Sequence, residues 1–256
     1  MRTITIAAYN RPDYLAQVLE SLQFARTQCP EYAAEAIVLG IDPGAGEEAE
    51  IIRVASSMLP GANETDIRMI VWPYRLGTDE HTRRLLQYAF MRLHSDFNLH
   101  LEDDTVLSPD ALRLVMWYAL WNVKTYCCLQ LYSGSRGGED PSNIVRRTSF
   151  APWGWACFNR DWHQWIAPDW NHKREQPYGW DWSLSRAMWE RELYALAPAL
   201  SRVRNIGRER GVHQTPEGYD KDFGNQVCAG VGEMRKDEDF TLDPALPAFD
   251  VWKHGC

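Results

Sequence analysis

The sequence has no long hydrophobic run, internal repeat, low-complexity tract or C-x-x-C pair. Because no apolar stretch precedes the first turn signal, the amino-terminal segment "MRTITIAAYNRP" predicts neither a signal peptide nor a membrane anchor. The six cysteines are irregularly spaced, which is typical of reduced thiols rather than of a disulfide framework. We therefore expect a cytoplasmic protein without a membrane span.

Positive charge is also scarce, since 27 Lys and Arg face 35 Asp and Glu, for a net charge of −8. This balance argues against a protein that binds nucleic acid through its overall charge, although the arginine-rich run 202–210 forms a local basic patch. Tryptophan, in contrast, is abundant: most of the twelve fall between Trp153 and Trp189. The 256 residues suffice for one large domain or two small ones.

The first 130 residues alternate strand and helix patterns. Short β-branched or apolar runs predict five strands, at residues 3–8, 36–41, 67–72, 97–101 and 125–132. Helical spacing and capping signals predict four helices, after Pro12, at 47–59, at 79–93 and after the N-cap Ser108. This order indicates an α/β fold with a mostly parallel sheet flanked by helices. From residue 133 the pattern becomes irregular and aromatic-rich, with a helix at 182–192 and an acidic tail after 233.

Polar residues follow several of the predicted strands. In parallel sheets such residues meet at one edge, where ligands bind. Adjacent carboxylates at a strand end commonly hold Mg²⁺ or Mn²⁺, although a solvated acidic turn before a helix is the simpler alternative. The residues concerned are Asn10, Arg11, Asp42, Glu102, Asp103 and Asp104.

Six segments in order carry a family resemblance. They are "TITIAAYNRPDYLAQVLESL", "LGIDPG", "LHLEDDTVLSPDAL", "APWGWACFNRDW", "YGWDWSLSR" and "SRVRNIGRERGVHQ". Together they resemble the GT-A glycosyltransferases, and among these the N-acetylglucosaminyltransferase I-like family. The resemblance covers residues 3 to about 224 in patches, and its more specific parts are "EDD" with "SPD" and the "SR…NIG…GVH" run.

The resemblance implies a role for each matching residue. Asp104 would be the main ligand of Mn²⁺ or Mg²⁺, with His213 near the metal and diphosphate, and Asp181 would be the general base. Alternatively, His213 is a surface residue, Asp181 caps a helix, and the arginine run is a solvated face. The resemblance places these residues on the donor side: Ala8, Tyr9, Asn10, Arg11, Asp42, Arg75, Glu102 and Asp103. Arg208 is added as an arginine of the 202–210 run that is expected to hold a phosphate. We expect Trp153, Gly154, Trp155 and Trp180 near the acceptor, and Trp162, Trp165 and Trp189 in the core.

The expected activity is a metal-dependent, inverting transfer of a hexose or N-acetylhexosamine from a nucleotide sugar, with uridine as the family's usual base. Residues 1–132 would bind the donor, and residues 133–256 would bind the acceptor and wrap the surface, within one catalytic domain. Family members carry two consecutive acids where this chain has Trp180-Asp181, which leaves the register of the base open by one position.

Family members also have a membrane anchor and stem that are not seen here, which favours a glycan or glycan precursor in a bacterial cell as the acceptor. A hydroxymethylated base in DNA, in a phage-infected cell, is the alternative. A non-catalytic module that binds sugars or nucleotides is the alternative from another class.

Overall fold

The computed structural model of the protein describes residues 1–32, 34, 36–59, 66–121, 126–170, 179–211 and 215–242. The first half alternates strands and helices as the sequence predicts. Its elements are β1 (Arg2–Ala8), α1 (Pro12–Gln28), β2 (Ala36–Ile41), α2 (Glu48–Met58), β3 (Asp66–Val71), α3 (Thr78–Gln87), β4 (Phe97–Glu102), β5 (Thr105–Leu107), α4 (Ala111–Trp121) and β6 (Tyr126–Gln130).

The second half contains shorter elements. They are β7 (Asn143–Arg147), β8 (Trp155–Phe158), α5 (Asn159–Asp161), α6 (Trp180–Glu190), β9 (Tyr194–Pro198), β10 (Val203–Asn205), α7 (Pro216–Asp222) and β11 (Thr241–Leu242). Turns of π-helix at Tyr88–Arg92 and Trp162–Ile166 extend α3 and α5, and 3₁₀ turns lie at Ala167–Asp169, Val231–Glu233 and Asp237–Asp239.

Several predicted boundaries shift. The single helix predicted at 79–93 is α3 followed by its π turn. The helix predicted after Ser108 begins at Ala111, whose N–H donates to the Ser108 carbonyl at 3.2 Å. The sequence patterns did not predict the three-residue strand β5, because so short a segment shows no periodicity.

The strands of both halves join one sheet, which has nine strands among the described residues, in the order β11-β7-β9-β6-β8-β4-β1-β2-β3. Strands β3, β2, β1 and β4 are parallel. Strand β8 lies antiparallel between β4 and β6, and β7 runs antiparallel to β9. A separate antiparallel pair joins β5 to β10 and brings two distant parts of the chain to the end of β4.

The core lies on both faces of the central strands. Every residue of β2 is buried, as expected for a strand covered by helices on both faces, whereas the edge strand β3 is partly exposed. Burial of each large aliphatic side chain stabilises the fold by roughly 1.5–3 kcal/mol. A second, aromatic cluster packs under α6 and includes Trp155, Trp162, Trp170 and Trp180.

The described cysteines are free thiols, which agrees with the predicted reduced state; they are Cys29, Cys127, Cys128, Cys157 and Cys228. Among the described residues, no helix combines the length and the apolar composition that a membrane crossing requires.

Candidate active site

The site forms where the neighbouring parallel strands β1 and β4 end. Ala7 of β1 pairs in register with Glu102 of β4, so the residues that follow each strand come together. The backbone N–H of Tyr9 donates to Asp103 Oδ2 at 3.1 Å, which ties the two strand ends. The carboxyl edge of the sheet therefore assembles the predicted residues as expected from parallel pairing.

Arg11 bridges two of the three carboxylates. Its Nη1 donates to Asp104 Oδ2 at 2.7 Å, and its Nη2 donates to Asp103 Oδ1. Both carboxylates are nearly inaccessible, with exposed fractions of 2% for Asp103 and 5% for Asp104. The guanidinium thus supplies part of the positive charge that adjacent buried carboxylates need.

The pKa values reflect burial and mutual repulsion. Burial raises the pKa of Asp103 to about 6; the neighbouring Asp104 adds to the rise, while Arg11 opposes it. Burial also raises the pKa of Glu102 well above its usual range, with further contributions from Asp104, Asp103 and Asp181. Burial by itself would lower the pKa of Arg11, but the three carboxylates outweigh it and raise that pKa.

Two polar atoms of this cluster are buried without a hydrogen-bond partner among the described residues, Asp104 Oδ1 and Arg11 Nε. A buried carboxylate oxygen without a partner is costly in free energy, and a divalent cation is a suitable partner for it. No group of three or more His, Cys, Asp or Glu side chains in the described part of the chain is arranged to hold a metal. The cluster can therefore offer a divalent cation one protein ligand, Asp104 Oδ1.

The segment that follows β10 closes over the cluster. The Ile206 N–H donates to the Asp104 carbonyl at 2.9 Å, and Gly207 comes next. The Gly207 N–H donates to Asn205 Oδ1 at 2.7 Å, while Tyr219 Oη donates to the Asn205 carbonyl at 2.6 Å. Asn205 and Gly207 lie in the quoted "NIG" run but were not singled out, because only the β5–β10 pairing places them against Asp104.

The arginine run divides into different environments. Arg202 is fully buried and pairs with Asp110 at 2.9 Å, so it is neither a phosphate ligand nor part of a solvated face. Arg208 is half-exposed and forms two 2.8 Å hydrogen bonds to Asp220. Its predicted donor contact would require exchange of this partner. His213, the other residue predicted near the diphosphate, lies outside the described residues.

Asp42 organises the loop that follows β3. Its two carboxylate oxygens accept hydrogen bonds from the N–H groups of Leu76 (2.7 Å) and Gly77 (2.9 Å). In the same loop the Arg75 guanidinium lies over the Tyr9 ring, 4.8 Å from its centroid. The structure therefore places Asp42, Arg75 and Tyr9 at one edge, with Asp42 already engaged by backbone amides.

The two remaining residues of the predicted donor side, Ala8 and Asn10, accept hydrogen bonds through their backbone carbonyls. The Ala8 carbonyl at the end of β1 accepts a 2.9 Å hydrogen bond from the Asp42 N–H. The Asn10 carbonyl accepts a 3.3 Å hydrogen bond from Arg210 Nη1, so Arg210 also serves the fold here.

Asp181 lies in the first turn of α6. It is close enough to Glu102 to raise the pKa of that residue. Gly179, at φ +133°, begins the helix, and a Cβ there would lie 2.5 Å from Asp181 Oδ1. The charge of Asp181 thus acts on Glu102, and the role of Asp181 as general base stays a prediction.

The tryptophans occupy positions that differ from several predictions. The side chain of Trp155 is fully buried, so the prediction that it faces an acceptor is wrong. Trp180, also predicted near the site, is buried and stacks on Trp170 with ring centroids 4.4 Å apart. Trp162 is in the core as predicted, whereas Trp189 is 63% exposed and the core prediction for it is wrong. Aromatic composition alone could not separate core from surface.

Trp153 belongs to a half-buried aromatic group. Its ring centroid is 4.6 Å from that of Tyr132 and 4.8 Å from that of Phe223. Gly154, at φ +68°, follows it, and a Cβ there would be 3.0 Å from Val203 Cγ1, which explains the glycine. The sequence patterns did not single out Tyr132 or Phe223, because they come from segments far apart in the chain.

No known protein family matches the sequence, and no match is found among curated proteins. Solved structures do match. The mannosyltransferase PcManGT from Pyrobaculum calidifontis, in complex with GDP-Man and Mn²⁺, has a TM-score of 0.51 and 12% identity, over 88% of this chain and 68% of that one. TarS residues 1–349 of S. aureus has a TM-score of 0.50 and 12% identity, over 79% of this chain.

The same TarS fragment was also solved in complex with UDP and matches with a TM-score of 0.50 and 11% identity. This chain spans 60% of the TarS fragment. The similarity and the mostly parallel sheet confirm the predicted GT-A fold class. At this level of identity the similarity establishes the fold alone.

Proposed function

We propose that this protein is a divalent-metal-dependent, inverting glycosyltransferase that moves a sugar from a nucleotide sugar to an acceptor hydroxyl. The observation that carries the proposal is the Arg11–Asp103–Asp104 cluster, with its unpartnered Asp104 Oδ1, at the carboxyl edge of a GT-A sheet. The complexes of similar structures with UDP and with GDP-Man and Mn²⁺ support it.

On the donor side, Asp104 would hold the metal through Oδ1. When bound, a divalent metal stabilises the negative charge that develops on a departing nucleoside diphosphate. Glu102, at the end of β4, would lie against the sugar of the donor. Tyr9 and Arg75, which contact each other, would lie beside the nucleotide of the donor.

Asp181 would accept the proton of the acceptor hydroxyl as the anomeric C–O bond of the donor breaks. In this scheme a single base acts on the acceptor, and no protein nucleophile attacks the sugar. Attack from the face opposite the diphosphate then inverts the anomeric configuration.

Tyr132 and Trp153, which are half-buried and pack on the buried Phe223, support a glycan or glycan precursor as the acceptor, because aromatic faces pack well against sugars. The same faces would stack on a nucleobase. A hydroxymethylated pyrimidine in DNA is therefore the second acceptor to test.

In the deciding experiment, the protein and Mn²⁺ are incubated with UDP- and GDP-linked hexoses and N-acetylhexosamines. Water, a glycan or hydroxymethylated DNA is offered as the acceptor, and mass spectrometry detects the products. We expect transfer or slow donor hydrolysis that EDTA and Asp104→Asn both abolish. Nucleotide-sugar binding without any product, under every condition, would instead indicate a binding module. Full activity in EDTA would contradict the metal role.

A further inference from the structure

Arg11 is engaged in a way that its expected contact with the nucleotide does not explain. Its guanidinium lies between Asp103 and Asp104, and its side chain is 14% exposed. Only Nε lacks a partner among the described residues. The ion pair thus leaves one donor, Arg11 Nε, and one acceptor, Asp104 Oδ1, unsatisfied in a buried place.

We propose that Arg11 is the resident counter-cation of the acidic cluster and makes divalent-cation binding depend on a bound nucleoside diphosphate. The inference rests on the proposed function for the identity of the site. It states that the cation and the diphosphate bind together and that each has a lower affinity for the site when the other is absent.

The charges give the reason. The carboxylates of Glu102, Asp103 and Asp104 carry at most three negative charges, of which Arg11 balances one. A divalent cation that enters without a nucleotide is repelled by the guanidinium only a few ångströms away. A bound diphosphate would offset this repulsion, because its negative oxygens would lie between the two positive charges.

The two unsatisfied atoms fit the same pair of ligands. A phosphate oxygen would accept a charge-assisted hydrogen bond from Arg11 Nε, and the cation bound to the diphosphate would take Asp104 Oδ1. Each ligand alone would satisfy one of these atoms and leave the other unpaired, which is costly for a buried group.

The surroundings of Arg11 keep its charge in place. A Cβ on Gly207 would lie 2.9 Å from Arg11 Nη1, so the irregular segment that follows β10 passes directly against the guanidinium. The Tyr14 ring lies on another side, with its centroid 5.8 Å from the guanidinium carbon. Arg11 therefore acts as a fixed charge rather than one that swings away when a cation arrives.

The test is a Mn²⁺ titration, by electron paramagnetic resonance, of the wild-type protein, Arg11→Gln and the control Arg53→Gln. Arg53 is exposed and paired with Glu50 on α2, so the control makes the same charge change at the surface. Each titration is run without nucleotide and with UDP or GDP, and corrected for Mn²⁺ held by free nucleotide.

We expect the nucleotide to tighten Mn²⁺ binding to the wild type by at least about tenfold, as for one charge acting through a water-like dielectric. Without nucleotide, Arg11→Gln should bind Mn²⁺ about tenfold more tightly than the wild type, and its gain from nucleotide should shrink. Arg53→Gln should behave as the wild type does.

Equal Mn²⁺ affinity of the wild type with and without nucleotide would overturn the inference, even if Arg11→Gln failed to fold. So would unchanged nucleotide-free affinity in a folded Arg11→Gln. In both cases the proposed function would stand, because the wild type would still bind Mn²⁺ and nucleotide. A wild type that binds neither would overturn the inference and the proposed metal-dependent function together.

Discussion

Gly207 lies so close to Asp104 that a Cβ built on the glycine would be 2.2 Å from Asp104 Oδ2. The same Cβ would be 2.9 Å from Arg11 Nη1 and 3.0 Å from Asn205 Oδ1. No side chain fits between these groups unless the ion pair moves. The absence of a side chain at position 207 is therefore part of how the site is built.

Gly207→Ala is expected to displace the Asp104 carboxylate and to weaken Mn²⁺-dependent nucleotide binding by roughly ten- to a hundredfold. Overpacking of this kind costs typically 1–3 kcal/mol of unfolding free energy. Calorimetric titration and urea denaturation measure the two effects. The control is Gly232→Ala, because a Cβ at Gly232 meets nothing within 4 Å. If Gly207→Ala bound nucleotide as the wild type does, the close approach would have no role in the site.

Asp181→Asn is expected to lower the rate of sugar transfer by about 10²- to 10⁴-fold, the usual contribution of a positioned general base. Donor binding should change little, because the amide keeps the shape of the carboxylate. The measurement is kcat under saturating donor, beside a nucleotide titration. Glu192→Gln, an exposed change beyond the other end of α6, serves as the matched control. Undiminished kcat in Asp181→Asn would move the base to another residue.

Arg202→Met is expected to lower the free energy of unfolding by about 3–5 kcal/mol, because it leaves Asp110 as a buried charge without its partner. Urea denaturation measures the loss. The double change Arg202→Met with Asp110→Leu should recover part of it, since neither charge then remains buried. Arg53→Met, which breaks an exposed pair, should have little effect. A small loss in Arg202→Met would show that the ion pair does not hold the residue before β10 to the residue before α4.

His81 makes stability depend on pH in the acid range. Burial lowers its pKa to about 4, opposed by the nearby Asp42, so the folded state holds the ring neutral. The unfolded chain, with a pKa near 6.5, binds more protons between these values, and stability is therefore lost as pH falls from about 6.5 towards 4. The loss reaches about 3 kcal/mol at most. His100, whose pKa burial lowers to about 3, acts in the same direction.

The measurement is urea denaturation of the wild type and His81→Gln at several pH values from 7 to 5. The variant should show a shallower fall in stability with acid. His94→Gln removes an exposed histidine and should keep the wild-type slope. Parallel slopes for all three proteins would show that His81 is not held neutral in the folded state.

The alternating half of the fold could be predicted from local patterns. The observed β2 matches its predicted limits, and β1, β3 and β4 are within one residue at each end. These strands are short runs rich in apolar and β-branched residues and bounded by turn residues, so composition and length suffice to find them. The convergence of Arg11, Asp42 and the Glu102–Asp104 run also followed from parallel order alone.

What the sequence could not show depends on contacts between distant segments. The pairing of β5 with β10 brings Gly207 against Asp104, yet each strand has only three residues and no readable period. The sequence also does not show which carboxylate each arginine pairs with. Arg202, Arg208 and Arg210 look alike there, but one is buried with Asp110 and two pair with exposed acids.

The aromatic residues show the same limit. Trp155 is expected at the site and Trp189 in the core, but Trp155 is buried and Trp189 is exposed. Trp155 lies on β8 and Trp189 on α6, and the way each element packs decides which face its side chain takes.

Strand β8, from the later part of the chain, is inserted between β4 and β6, and β9 pairs with β6 on the other side. Backbone hydrogen bonds thus cross repeatedly between the early and late segments. A hinge between them would have to break a ladder of such bonds in the middle of the sheet. Under the proposed function, donor and acceptor would then enter and leave past the loops at the rim of the sheet.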